Sequence, residues 1–218
     1  MQDKVISDDL SQDHFSASDE TPMRADAFAL SDEVKIERIA NNFKEIMHTL
    51  GLDLNDASLK GTPMRVAKMF VNESFSGLNP KNFPSISLFE NNFKYDEMLI
   101  EKDIEFFSYC EHHFVPIVGK AHVAYYANGK VIGLSKINRI VNYYAKRPQV
   151  QERMTIQIAK ALKKALQIED VAVVIDADHL CVSSRGVQDS TSSTITASYH
   201  GKFTHEERKL EFLKLIRA

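Results

Sequence analysis

The chain has only two cysteines, Cys110 and Cys181, and no apolar run near the roughly 20 residues that a bilayer-spanning helix needs. Its opening, Met1-Gln2-Asp3-Lys4, is polar and acidic and lacks the pattern of a secretion signal. A cytosolic location is the expectation. In that reducing compartment, cysteines close to histidines point to metal ligands or catalytic groups rather than to a disulfide. Positive charge is not in excess either: a formal net charge of −3 and a pI near 6.2 argue against a general nucleic-acid binder. No Gly-x-x-x-x-Gly-Lys-Ser/Thr motif occurs, so a phosphate group would be held by scattered cations and not by a P-loop. Internal repeats and low-complexity tracts are absent as well.

What is present is an ordinary globular composition, 44% hydrophobic and 26% charged, over 218 residues. That length suits one small domain with an N-terminal appendage. Residues 1–30, rich in Ser, Asp and Gln, read as a mobile arm, residues 31–96 as an N-terminal helical region and residues 97–218 as the domain carrying the chemistry. Ser31 is an N-cap with Asp32 and Glu33 in the first turn. Ile36, Ile39, Ala40, Phe43, Ile46, Met47 and Leu50 then recur at helical spacing until Gly51. Thr62, as N-cap, and Pro63 open a second helix, and residues 76–92 read as a long irregular connection.

From Met98 the pattern changes to strands, over Met98–Phe107 and Val115–Ala127, and Asn128-Gly129 predicts a hairpin between Tyr126 and Val131. Helices are expected from N-cap Ser135 to about Lys146 and from about Val150 to Leu166. Strands follow over Val171–Ala177 and Ser193–Tyr199, and a capping box of Thr204 with Glu207 opens a last helix. Strand pair, helix pair, strand pair is an α+β layout with an antiparallel sheet.

The chemistry concentrates in Tyr109-Cys110-Glu111-His112-His113. Cys110 and His113 are three positions apart, so they converge on one cation only if the chain turns at a strand end. Cys181, in Asp178-His179-Leu180-Cys181, supplies a third donor. Structural zinc sites use four protein ligands, and three leave a position for water, so the count points to catalysis. The competing reading is two buried cysteines that never meet, with histidines of an ordinary core. His112 and His179 are left beside the proposed ligands, as imidazoles suited to proton transfer near neutral pH.

Cations gather elsewhere. Lys136 and Arg139 lie three apart at the start of a helix, where cations oppose the dipole unless an anion binds with them; two solvated side chains are the alternative. Arg65 and Lys68 share a helix face, which alone reads as a solvated basic edge. Gln151-Glu152 heads another helix. A carboxylate there either satisfies the dipole or accepts the paired N–H groups of a planar base such as guanine.

Four segments together, Tyr109-Cys110-Glu111-His112-His113, Gly133-Leu134-Ser135-Lys136-Ile137-Asn138-Arg139, Arg147-Pro148-Gln149-Val150-Gln151-Glu152-Arg153 and His179-Leu180-Cys181-Val182-Ser183-Ser184-Arg185-Gly186, resemble GTP cyclohydrolase I of the bacterial type. The resemblance covers the chain from about Asp32 to its end. It implies the tunnelling fold, a ββααββ core preceded by N-terminal helices. Sheets from several subunits would close into a barrel, in a homodecamer of two stacked pentamers with active sites between subunits. It implies hydrolysis of GTP to 7,8-dihydroneopterin triphosphate and formate, the first step of tetrahydrofolate and pterin biosynthesis, with no nucleic-acid or membrane partner. One Zn²⁺ per subunit would be held by Cys110, His113 and Cys181 and would activate water, while His112 and His179 move protons. Glu152 and Gln151 would hold the guanine edge, and Leu134 and Val150 would join the substrate contacts. Lys68, Ser135, Lys136, Arg139 and Arg185 would grip the triphosphate, with Arg65 nearby.

Overall fold

The computed structural model describes residues 20–217; of the arm expected over residues 1–30, residues 1–19 lie outside the described residues. Residues 20–30 are turns tied to the body, because Thr21 Oγ1 accepts hydrogen bonds from Arg147 at 3.1 Å and Gln157 at 3.4 Å. Helix α1, Asp32–Thr49, starts where Ser31 caps the Val34 N–H. Helix α2, Thr62–Met69, begins one residue earlier than expected, with Gly61 and not Thr62 at the N-cap, and widens into a π-type turn over Phe70–Ser74.

A five-stranded sheet holds the rest of the chain in the order β5-β2-β3-β6-β7, built from β2 (Met98–Cys110), β3 (Pro116–Tyr126), β5 (Pro148–Gln149), β6 (Val171–His179) and β7 (Thr194–Tyr199). All neighbours are antiparallel except β5, which runs parallel to the end of β2. Helices α3 (Leu134–Ala145) and α4 (Gln151–Leu166) cover one face, and α6 (Glu206–Arg217) covers part of the other. The expected α+β, ββααββ arrangement is therefore the one the chain adopts.

Alternation along the strands explains both layers. Ile117, Ala121, Val123 and Tyr125 of β3 pack with Val171, Val173 and Ile175 of β6 against Ile137, Ile140, Val141, Met154, Ile158 and Leu162 of the helices. The intervening Ala124, Tyr126, Ala172 and Val174 meet Phe203 and Phe212 on the opposite side. Burial on both faces is why β6 reads as one apolar run. Each large aliphatic side chain buried here contributes about 1.5–3 kcal/mol.

Four local expectations are corrected. The chain turns at Asn128-Gly129, with Gly129 at φ 74°, but β4 (Lys130–Ile132) does not fold back on β3. Both edges of β3 are already occupied by β2 and β6, so β4 pairs with β1 (Leu88–Glu90), inside the supposedly irregular connection. That connection is also pinned to α3: Gly77 N–H donates to Lys146 O at 2.9 Å, and a Cβ on Gly77 would lie 2.0 Å from Tyr143 O. Gly133 and not Ser135 caps α3, because its N–H is fixed to Ser87 O and the helix begins at once. The capping box does not form: Thr204 sits in a 3₁₀ turn and donates to Gly201 O at 2.7 Å.

Strand β2 carries a bulge between Glu101 and Ile104, with Asp103 at φ 58°. His122 of β3 holds it, its Nδ1 accepting the Asp103 N–H at 3.2 Å. Burial pushes the His122 pKa down, against the opposing pull of Asp103 and Asp176, while Lys120 and Lys102 push it further down. The unfolded chain thus takes up this proton first. The stability His122 supplies is present above about pH 6.5 and lost as pH falls through the lower folded value. The melting temperature should therefore drop between pH 7.5 and 5.5. His122→Asn, which keeps an acceptor but cannot be protonated, should remove part of that drop; identical pH profiles for the two proteins would contradict this role.

Candidate metal centre

Three strand ends meet at one edge of the sheet. Cys110 is the last residue of β2, and the chain reverses after it through a tight turn in which Phe114 N–H donates to Cys110 O and Cys110 N–H to Val115 O, both at 2.9 Å. Phe114 takes φ 55°, a left-handed conformation that a bulky side chain adopts only when its surroundings hold it there. Aromatic contacts hold this one: Phe114 packs edge-on to Phe75, with ring centroids 5.3 Å apart. The turn expected between Cys110 and His113 is thus present.

Because β3 joins β2 to β6, the end of β6 arrives beside this turn: His179 is in register with Ile117 of β3, and the short helix α5 (Leu180–Ser183) follows with Cys181. The donor atoms of Cys110, His113 and Cys181 all lie within 4.8 Å of one another. Cys110 Sγ is 3.8 Å from His113 Nδ1 and 3.6 Å from His112 Nδ1, so the second imidazole borders the cluster. Burial and the nearby Cys110 push the Cys181 thiol pKa up. Two thiols this close resist ionising together, and a cation between them removes that resistance. Soft sulfur with imidazole is the donor chemistry of Zn²⁺, and three protein donors leave an open position. Among the described residues this is the group of His, Cys, Asp and Glu side chains that fits a metal ion.

Other expected site residues fall around it. Arg185 Nη1 lies 2.8 Å from His113 Nε2. His179 Nε2 is 2.8 Å from Gln151 Oε1; burial lowers the His179 pKa, with the charge of Glu152 pulling it back up. Glu152 is exposed at the head of α4, after Val150 at the N-cap. Leu134, Ser135 and Arg139 are exposed on α3, where Arg139 lines a shallow cavity of about 350 Å³ with Asn142 and Lys146. Lys136 donates to Ser85 Oγ at 3.2 Å, Lys68 is exposed on α2, and Arg65 is bonded to Ser58 O and Thr62 Oγ1 at its own helix start. The metal donors, the spare histidines, Gln151 and Arg185 are therefore brought together. The bonds of Arg65 and Lys136 run elsewhere within the subunit.

The side chain of Gln151, expected at a guanine edge, is 1% exposed and hydrogen-bonded inside the subunit. One pair carries no expectation from the sequence: Arg153, with a side chain only 4% exposed, grips Glu111 through both terminal guanidinium nitrogens, Nη1 to Oε2 and Nη2 to Oε1, the latter at 3.3 Å. The signal was available, because Arg153 opposes the dipole in the first turn of α4 as Lys136 does in α3.

The sequence profile of the GTP cyclohydrolase I family matches residues 39–217. The chain is 59% identical over 210 residues to GTP cyclohydrolase 1 of Flavobacterium johnsoniae, covering 96% of this chain and 94% of that protein. It is 55% identical over 195 residues to GTP cyclohydrolase 1 of Aeromonas salmonicida, covering 89% and 88%. Against that of Vibrio parahaemolyticus it is 54% identical over 199 residues, covering 91% of each.

Since Glu111 stands between Cys110 and His112, its partner sets the geometry of the donors. Arg153→Met should weaken binding of a thiophilic divalent cation by about 10–100-fold, the usual effect of losing an outer support of a metal site. Competition with a chromogenic chelator would measure it, and unchanged affinity would separate the ion pair from the metal turn.

Proposed function

The chain belongs to the GTP cyclohydrolase I family, and from that premise we propose that it hydrolyses GTP to 7,8-dihydroneopterin triphosphate and formate, the first step of tetrahydrofolate and pterin biosynthesis, at a Zn²⁺ site made by Cys110, His113 and Cys181. The observation that carries the reading is the convergence of those three donors within 4.8 Å at an edge bordered by two more imidazoles. When bound there, Zn²⁺ supplies a Lewis acid that makes water a nucleophile near neutral pH.

The protein's own groups do the rest. His112 and His179 move protons as the five-membered ring of the purine opens at C8 and formate leaves, and again as the ribose rearranges and the pterin ring closes. Glu152 accepts the paired N–H groups of guanine, a charge-assisted contact open to an exposed carboxylate beside His179. Ser135, Lys136, Arg139, Arg185, Lys68 and Arg65 provide donors and positive charge for the triphosphate, and Leu134 and Val150 border the base. Residues 97–218 act as the catalytic unit, with residues 31–96 as a helical region in front of it. The thiols of the site stay reduced in a cytoplasmic location.

The active unit is a ring of copies, two stacked pentamers making a homodecamer. Among the described residues β7 pairs only with β6, and β5 covers only Tyr109 and Cys110 of β2, so both edges of the sheet offer unpaired backbone. Exposed Phe89, Phe107 and Ile195, each about 60% accessible, suit burial between copies.

The direct test is elemental analysis of the purified protein with an assay for formate and a pterin chromophore after GTP is added. About one zinc per chain with both products is expected; zinc without products would overturn the enzymatic reading. His112→Ala should keep zinc and fold and lose turnover by about 10²–10⁴-fold, and undiminished formate release would remove His112 from proton transfer. Arg139→Ala should weaken GTP binding far more than guanosine binding, whereas equal losses would take Arg139 off the triphosphate.

A further inference from the structure

We infer that Gln151 is a positioning residue that fixes the ring orientation and tautomer of His179, and that its side chain does not touch substrate; the inference rests on the functional reading above. Gln151 is the first residue of α4 and is 1% exposed. Its Nε2 donates to two backbone carbonyls, Ile175 O of β6 at 3.2 Å and Thr194 O of β7 at 2.8 Å. Carbonyl oxygens only accept, so the orientation of the amide is forced: reversing it would set Oε1 against both.

With the amide so fixed, the atom 2.8 Å from His179 Nε2 is an oxygen without a hydrogen. Nε2 must therefore donate. In a neutral imidazole one nitrogen carries the hydrogen and the other the lone pair. His179 is thus held with hydrogen on Nε2 and the lone pair on Nδ1.

The support is rigid as well as directional. Thr155 Oγ1 donates to Gln151 O at 2.8 Å and lies 2.7 Å from Thr196 Oγ1 of β7, so the first turn of α4 is fastened to the same strand as the amide. Two positions beyond Gln151, Arg153 grips Glu111 in the turn that carries Cys110 and His113. The first turn of α4 thereby reaches both halves of the site, one half through each side chain. Swinging Gln151 out towards a substrate would leave Ile175 O, Thr194 O and His179 Nε2 without these partners.

The test combines kinetics with histidine NMR on the zinc-loaded, full-length protein. Gln151→Met keeps length and an apolar interior but removes the acceptor. It should lower kcat for formate release by about 10–100-fold, with KM for GTP nearly unchanged and zinc content intact. In a His179→Ala background Gln151→Met should add no further loss, as expected when one residue acts only through the other. A rise in KM with kcat preserved, or losses that multiply in the double variant, would put Gln151 on the substrate and overturn the inference.

Magic-angle-spinning NMR of ¹⁵N-histidine-labelled wild type, with His179 assigned by its loss in His179→Ala, should show hydrogen on Nε2; hydrogen on Nδ1 would overturn it without any need for Gln151→Met to fold. If the wild type releases no formate from GTP, the functional reading fails by itself, and the NMR result still decides what Gln151 does to His179.

Discussion

An arginine in the first turn of a helix stands against the backbone dipole, and one with a side chain only 4% exposed has also given up its water. Both costs at Arg153 are offset by the carboxylate of Glu111, gripped by two guanidinium nitrogens in the planar geometry that suits this pairing. Breaking one side of such a buried pair typically costs about 3–5 kcal/mol. The spacing between α4 and the turn after β2 is therefore held by charge as well as by packing. Cys110, His112 and His113 inherit their positions from that spacing, and the two-residue strand β5 reinforces it, since Glu111 N–H donates to Gln149 O at 3.0 Å.

The second half of the site depends on β3. With β2 on one side and β6 on the other, β3 carries none of the proposed metal or proton-transfer groups, yet it decides that the ends of its neighbours finish together. Charge fixes one segment, sheet register fixes the other, and the first turn of α4 touches both. The reach of this scaffold is limited to the metal side. Arg65 on α2 and Lys136 on α3 sit on other elements and bond to their own neighbourhoods.

Much of this was legible in the sequence where spacing and chemistry coincide. The Cys-x-x-His pair beside a second Cys/His segment announced the donors, because those residue types have few other uses at such density in a chain with two cysteines. Periodicity gave α1, α3, α4 and the main strands. What was not legible was long range. Asn128-Gly129 has the composition of a hairpin turn, but whether β4 returns to β3 depends on which edges of β3 are already taken. Ser135 and Thr204 are good caps by residue type, but Gly133 is tied to Ser87 O where α3 begins, and the Thr204 hydroxyl is itself drawn back to Gly201 O. The side chain of Gln151 could not be placed from local pattern, because its partners lie on β6 and β7.

The connection between β3 and β6 also acts as a clock. Cys110 and His113 emerge from the ribosome as one short segment, whereas Cys181 follows about 70 residues later, after both crossover helices. At about 5–20 residues per second, that interval is on the order of 10 s. Throughout it the nascent chain has one thiol and its neighbouring imidazoles but not the second sulfur. The three-donor cluster can therefore close only after the crossover and β6 have been made.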